Sequence, residues 1–189
     1  FETTPEDTFG SGNKPGQVTD DFSSAYFLAQ SIVKNGGKVE EEAVKEGLIE
    51  WSEHSVFFDR FAGPTTRAAI RRMNGEVMEE ESGIKISTRQ ATNGASMRIS
   101  PIGMLNPGNL EETLEETIRV TRLTHDNYLA ISGACAIACA VSEALTPKAD
   151  KYSVVQAALW GAVEGEKRGR EISSDIAGPS VIKRIEYAI

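Results

Sequence analysis

The most apolar stretch of the chain, residues 128–145, is rich in Ala, Gly and Ser and carries Glu143 near its end. It is too weakly hydrophobic to cross a bilayer, which takes about 20 predominantly apolar residues. A stretch of this kind has to be wrapped by other elements, so it reads as a buried helix. Its surroundings are helical too. Phe22, Ala25, Tyr26, Ala29, Ile32 and Val33 recur at helical spacing and stop at Asn35-Gly36-Gly37, which predicts a helix over 20–35. Val44, Leu48 and Trp51 share one face of a helix over 40–54, with glutamates outside. A short helix is read over 65–73, and another over 110–121 behind the cap residue Asn109. Val154, Val155, Ala158, Leu159, Ala162 and Val163 mark a further helix, and Val181, Ile182, Ile185 and Ala188 a last one. The segment 55–64, with Phe57, Phe58 and Phe61, reads as a loop, as does 82–92. The segment 93–105 is helical but carries Pro101, so a kink or break is expected there. Only 85–88 has a strand-like pattern. The expectation is an all-α, compact, orthogonal multi-helix bundle, a single domain over 1–189, with its chemistry on loops and helix starts at one end.

A net charge of −8 argues against a nucleic-acid-binding surface. The two cysteines, Cys135 and Cys139, share a face of the 128–145 helix and read as small core residues, not as a disulfide or metal pair. With no signal-peptide pattern, the reading is a reducing cytoplasm with no membrane anchor. The chain opens on Phe1 and closes at Ile189 inside a helical pattern, which reads as truncation at both ends.

Several polar groups stand out against this helical background. Gly16-Gln17-Val18-Thr19-Asp20-Asp21 places a hydroxyl and two carboxylates at the first turn of a helix. Thr19 can cap, and the aspartates suit the positive end of the helix dipole. The same three oxygen-bearing groups also suit a hard cation, Mg²⁺ or Mn²⁺. Asp59 lies among aromatic residues. Apolar surroundings disfavour a charged carboxylate and suit it to general acid/base work, while capping, or pairing with Arg60 or Arg67, is the plainer role. Asn93-Gly94-Ala95-Ser96-Met97 is a helix start whose free N–H groups could hold an anion, or Asn93 could simply cap it. His125 sits at a helix junction, either as a satisfied cap or as a working group. Glu2, near the terminus, says nothing on its own.

Together the segments GQVTDD (16–21), FFDRFAGPTTRAA (57–69), TNGASMRISPIG (92–103) and LTHDN (123–127) occur in that order, separated by helices. The arrangement resembles the ADP-ribosylglycohydrolase family, including the dinitrogenase-reductase-activating glycohydrolases. The resemblance runs through good motifs to about Leu145 and more weakly to Ile189. It implies an all-α fold with two divalent metal ions, Mg²⁺ or Mn²⁺, in a cleft, and removal of ADP-ribose from modified side chains or related compounds. Thr19, Asp20 and Asp21 match the family's first metal-ligand motif. Asp59 matches an aspartate near the metals. Asn93, Gly94, Ala95, Ser96 and Met97 match the segment lining the ADP-ribose cleft, and His125 matches a histidine of that cleft. Glu2 matches the glutamate of a mobile flap over the metals.

The chain also departs from the family pattern. None of its seven aspartates makes the family's second metal motif, D-x-D-T, and the first helix of that pattern is missing. The segment after His125, Asp126-Asn127, lacks the usual acid-then-proline continuation. The resemblance therefore implies half of a two-metal site, completed by a further segment or a second chain. The implied substrate is ADP-ribose carried on a protein or a small molecule. Its pyrophosphate would be held by backbone N–H groups at 93–96, since the motif loops have no lysine cluster. A hydrolase of another N-glycoside or nucleoside would use like cleft residues; against an inactive crystallin-like or ligand-binding relative stand the intact Thr19-Asp20-Asp21, Asp59 and His125, and for it the missing D-x-D-T.

Overall fold

A computed structural model of the chain describes residues 16–76, 91–173 and 178–189. Glu2 and the strand-like 85–88 lie outside the described residues. Among those described, every regular element is helical, so the all-α expectation holds. The helices are α1 (Asp20–Lys34), α2 (Glu41–Ser52), α3 (Ser55–Phe61), α4 (Pro64–Met73), a 3₁₀ turn (Ser96–Arg98), α5 (Ser100–Leu105), α6 (Leu110–Arg122), α7 (Tyr128–Ala144), α8 (Lys151–Ile172) and α9 (Val181–Ala188). No described helix is long and apolar enough to cross a membrane.

Helix α7 is the buried helix that its composition predicts. Asn127 caps it by accepting from the Ala130 N–H at 2.9 Å, and α5, α6, α8 and α9 all lie against it. The closest seam is with α8. A Cβ at Gly161 would come 2.5 Å from the Cys135 carbonyl oxygen, one at Gly165 would come 2.8 Å from Cys135 Cβ, and one at Gly169 would come 2.9 Å from Tyr128 Cα. Side chains are absent on this α8 face because backbone occupies their place. Cys135 and Cys139 are free and buried in this region. Burial pushes the Cys139 thiol up to about 12 and the Cys135 thiol well above its usual value, so both behave as small core groups.

Helix α1 buries a different face from the one its apolar pattern predicts. Ser23, Ser24, Phe27, Leu28, Ser31 and Ile32 are buried, whereas Phe22, Tyr26 and Val33 are 61%, 52% and 76% exposed. Small hydroxyls select this face because α2 comes in close. A Cβ on Gly47 would sit 2.7 Å from Ser31 Cβ, and Trp51 Nε1 donates to Ser23 Oγ at 3.0 Å. Ser23 and Ser31 satisfy their own O–H groups locally, donating to the Thr19 and Leu28 carbonyls at 2.8 Å each.

The segment read as an aromatic loop, 55–64, is instead helix α3 followed by a turn. Arg67 supplies the reason. Its Nη2 donates to the Phe58 and Asp59 carbonyls at 2.9 and 2.7 Å, and its Nε donates to the Ala62 carbonyl at 2.8 Å. One guanidinium from the next helix thus satisfies the C-terminal carbonyls of a seven-residue helix. The break expected at Pro101 is present. The chain makes a 3₁₀ turn and restarts as α5, with Pro101 in the first helical turn where no N–H is needed. Helix α8 extends well beyond the 154–163 pattern, starting from a capping box at Asp150.

Candidate functional site

The start of α1, the 92–98 turn and the α6–α7 junction converge at one end of the molecule. Thr19 occupies the N-cap position but does not cap with its side chain. Its hydroxyl instead donates to Asp21 Oδ2 at 3.0 Å. Asp20 is half-buried and Asp21 exposed. Burial, and then the neighbouring Asp21 carboxylate, hold the Asp20 carboxyl above the usual range against the lowering effect of backbone N–H donors. Two adjacent carboxylates with a hydroxyl beside them form a hard oxygen donor set of the kind that suits a divalent cation. No group of three or more His, Cys, Asp or Glu that could hold a metal ion occurs among the described residues.

Arg98 stands on the 3₁₀ turn that packs against α1. It is 1% exposed, and burial draws its guanidinium down to about 10 while Asp20 works in the opposite direction. Its Nη2 donates to Thr124 Oγ1, and its Nη1 has no partner among the described residues. Thr124 Oγ1 lies 2.8 Å from His125 Nδ1, and Thr92 Oγ1 lies 2.9 Å from His125 Nε2. His125 itself is fully buried. Burial first, and the Arg98 charge second, push its imidazole down to about 3, so it is neutral across the physiological range. Gly94 allows this arrangement, because a Cβ there would fall 2.8 Å from His125 Cε1.

A cleft of about 450 Å³ opens beside the turn. Thr92, Asn93 and Ser96 form one wall, the start of α7 with Gly133 a second, and Pro179 with Arg184 of α9 a third. Of the predicted cleft residues, Asn93 and Ser96 line it. Gly94 and Ala95 are buried, Met97 is half-buried, and His125 is buried with both ring nitrogens engaged by threonines. Asp59 stands on α3 with its side chain exposed, so the apolar enclosure anticipated for it is not formed. Arg67 takes its backbone carbonyl, and the anticipated side-chain pairing with Arg67 is replaced by that contact.

A profile described as ADP-ribosylglycohydrolase matches residues 2–187. The chain belongs to the ADP-ribosylglycohydrolase family. It is similar to the uncharacterized protein YegU of Escherichia coli (strain K12), at 30% identity over 132 residues, which covers 68% of this chain and 38% of that protein. It is also similar to an uncharacterized protein of Archaeoglobus fulgidus, at 30% identity over 127 residues, which covers 67% of this chain and 39% of that one. The match thus spans well under half the length of either relative. No solved structure matches.

Sequence reasoning overlooked Arg98, Thr92, Thr124 and Arg184. Arg98 and Thr92 lie inside the quoted TNGASMRISPIG segment, and Thr124 inside LTHDN, so their position was visible. Their significance was not, because a buried arginine and an exposed one look alike in sequence. Arg184 stands on α9, which no motif marks.

Proposed function

We propose that this chain carries the ADP-ribose-binding part of a metal-dependent hydrolase, which cleaves the glycosidic bond of an ADP-ribosylated substrate and releases ADP-ribose. The observation that supports this reading best is the packing of α1, which opens on the Thr19-Asp20-Asp21 segment, against the 3₁₀ turn that ends the Asn93–Arg98 segment. Two segments far apart in sequence, both carrying motifs of the family, are thereby brought side by side. Thr19, Asp20 and Asp21 would hold part of a divalent-metal centre, Mg²⁺ or Mn²⁺, whose remaining ligands lie in a further segment or chain carrying a D-x-D-T motif. When bound, such ions orient the ribose hydroxyls and lower the pKa of a bound water.

The rest of the chemistry falls to the chain's own groups. Breaking the bond at the ribose anomeric carbon develops positive charge there, and the carboxylates of Asp20 and Asp21 stabilise it. Water adds its oxygen to that carbon, and its proton passes to the departing group. Asp59, and Glu2 outside the described residues, are the proposed carriers of that proton. Asn93 and Ser96 present polar groups to the pyrophosphate, and Arg184 adds the positive charge that an acidic protein otherwise lacks there.

The test is a calorimetric titration of the complete protein with Mg²⁺, Mn²⁺ and ADP-ribose, followed by an assay of ADP-ribose release from ADP-ribosylated arginine and serine peptides. Metal-dependent release supports the reading. Cleavage of a nucleoside or another glycoside instead moves the protein to a different substrate class. Ligand binding without any turnover makes it a non-catalytic relative.

A further inference from the structure

We infer that Arg98 is a positioning residue: acting through Thr124, it fixes His125 as the Nε2–H tautomer and so aims the Thr92 hydroxyl proton into the cleft, as a donor to an anionic oxygen of the ligand. The inference deepens the ADP-ribose reading and rests on it only for the identity of that ligand.

The argument is a count of donors and acceptors along one chain of contacts. Arg98 has only donors, so Thr124 Oγ1 accepts from its Nη2. The Thr124 hydroxyl carries a single proton. If His125 Nδ1 were also protonated, Thr124 would accept twice and its own proton would have no partner among the described residues in this buried place. If Nδ1 is bare, Thr124 donates to it over 2.8 Å, and both the hydroxyl and the ring nitrogen are satisfied. A guanidinium donating into the hydroxyl oxygen makes its proton a better donor, which reinforces the same direction. The remaining imidazole proton then sits on Nε2 and is given to Thr92 Oγ1, 2.9 Å away. Thr92 has thereby used a lone pair and keeps its proton. It is exposed and shares a cleft wall with Asn93 and Ser96. The chain of donors therefore runs in one direction, from a buried cation to the cleft surface. A doubly protonated ring is excluded on the same count, and the burial and Arg98 charge that keep His125 neutral agree with it. The chemical class of ligand follows: an oxygen that accepts and does not donate, such as a phosphate or pyrophosphate oxygen.

The experiment is a long-range ¹H–¹⁵N correlation spectrum of the complete, ¹⁵N-labelled protein, with the His125 ring assigned by its loss in His125→Gln. The expected wild-type pattern is the Nε2–H tautomer, unchanged from pH 8 to pH 5. A protonated Nδ1, or an imidazolium at pH 6, overturns the inference. Thr124→Val should let the tautomers mix, and Thr124→Ser should restore the single pattern. A Thr124→Val spectrum identical to wild type would remove Arg98 and Thr124 from the relay. Should the valine variant fail to fold, the wild-type pattern and the Thr92 variants still decide. Thr92→Val should leave the His125 ring neutral and weaken ADP-ribose binding roughly tenfold or more, the usual loss for a hydrogen bond to a charged acceptor, with Thr92→Ser restoring it. Unchanged affinity in Thr92→Val overturns the aimed donor. Wild-type protein that shows the Nε2–H tautomer and binds inorganic pyrophosphate in a Thr92-dependent way, but not ADP-ribose, keeps the relay and refutes the ADP-ribose reading.

Discussion

Along the α7–α8 seam, three glycines of α8 let its backbone approach the backbone and small side chains of α7, and the buried thiols there are too hard to ionise to do chemistry. At the start of α1 the opposite holds. Burial raises the Asp20 carboxyl, Arg98 is buried with a donor that has no partner among the described residues, and His125 is buried in its neutral form. The seam is stabilised by contact area and contains little polarity to satisfy. The site end tolerates buried charge and spare donors, which cost stability and are kept where function needs them. The two regions should therefore respond to mutation in opposite currencies: the seam in stability, the site in ligand binding.

The largest effect expected is at the site. Asp21→Ala removes a charged oxygen donor and should abolish Mg²⁺ and Mn²⁺ binding by the complete protein, read by calorimetry, because a hard divalent ion depends on its few carboxylates. Its unfolding midpoint should not fall, since Asp21 is exposed and supports no packing. A large loss of stability with metal binding retained would invert the comparison. Asp59→Asn, which removes the proposed acid/base charge but keeps the shape, should reduce turnover far more than ADP-ribose affinity. Equal turnover in variant and wild type would remove Asp59 from the mechanism.

The seam should respond the other way. Gly161→Val forces a Cβ against the Cys135 carbonyl, where only 2.5 Å is available, and backbone cannot step aside as a side-chain tip can. Overpacking of this kind costs about 1–3 kcal/mol or more, which exceeds the gain of under 1 kcal/mol from replacing a helical glycine. A urea melt should show the loss, while metal affinity measured below the transition stays at the wild-type value. Stability equal to wild type would mean that the helices can slide apart, and that the seam is not the rigid part of the fold.

A smaller effect separates buried charge from buried volume. The His125 imidazole is lowered from 6.5 to about 3. Between those values the unfolded chain binds a proton that the folded chain refuses. Stability is therefore lost as pH falls from about 6.5 toward 3, by at most about 1.4 kcal/mol per pH unit for one group. His125→Gln should remove that component of the slope relative to wild type, in urea melts at pH 7, 6 and 5. Parallel slopes in the two proteins would mean that His125 takes up its proton in the folded state. The corresponding seam residue, Cys135, raised well above its usual value, should give no pH dependence in this range.

The ease with which each region could be read from sequence follows the same division. The face of α2 carrying Val44, Leu48 and Trp51 was legible because long apolar side chains declare a buried face, and α7 because its stretch of apolar and small residues is unbroken by charge until Glu143. The Thr19-Asp20-Asp21 cluster was legible as oxygen chemistry, since its residue types are unusual together. Helix α3 was not legible, because its C-terminal cap is Arg67 of the following helix and not a local glycine. The relay through Thr92, Thr124 and Arg98 was illegible for a similar reason. Threonine and arginine are ordinary surface residues, and only tertiary burial makes them a network.

The face of α1 misled for a physical reason that can itself be tested. Periodicity gives weight to large apolar residues, yet here serines face the core and Phe22 and Tyr26 line an outer groove of about 250 Å³ with Val18, His54 and Phe57. Phe22→Ser should therefore cost well under 1 kcal/mol, like other exposed substitutions, in a urea melt. Leu28→Ala, on the buried face at 2% exposure, should cost about 2–5 kcal/mol in the same assay. That contrast holds only if the groove is open to water. A loss of several kcal/mol in Phe22→Ser would mean that another part of the polypeptide covers Phe22 and Tyr26, beside the Thr19-Asp20-Asp21 cluster. The outer aromatic row would then be a second buried face of α1, and its apolar periodicity a true record of what the whole protein packs there.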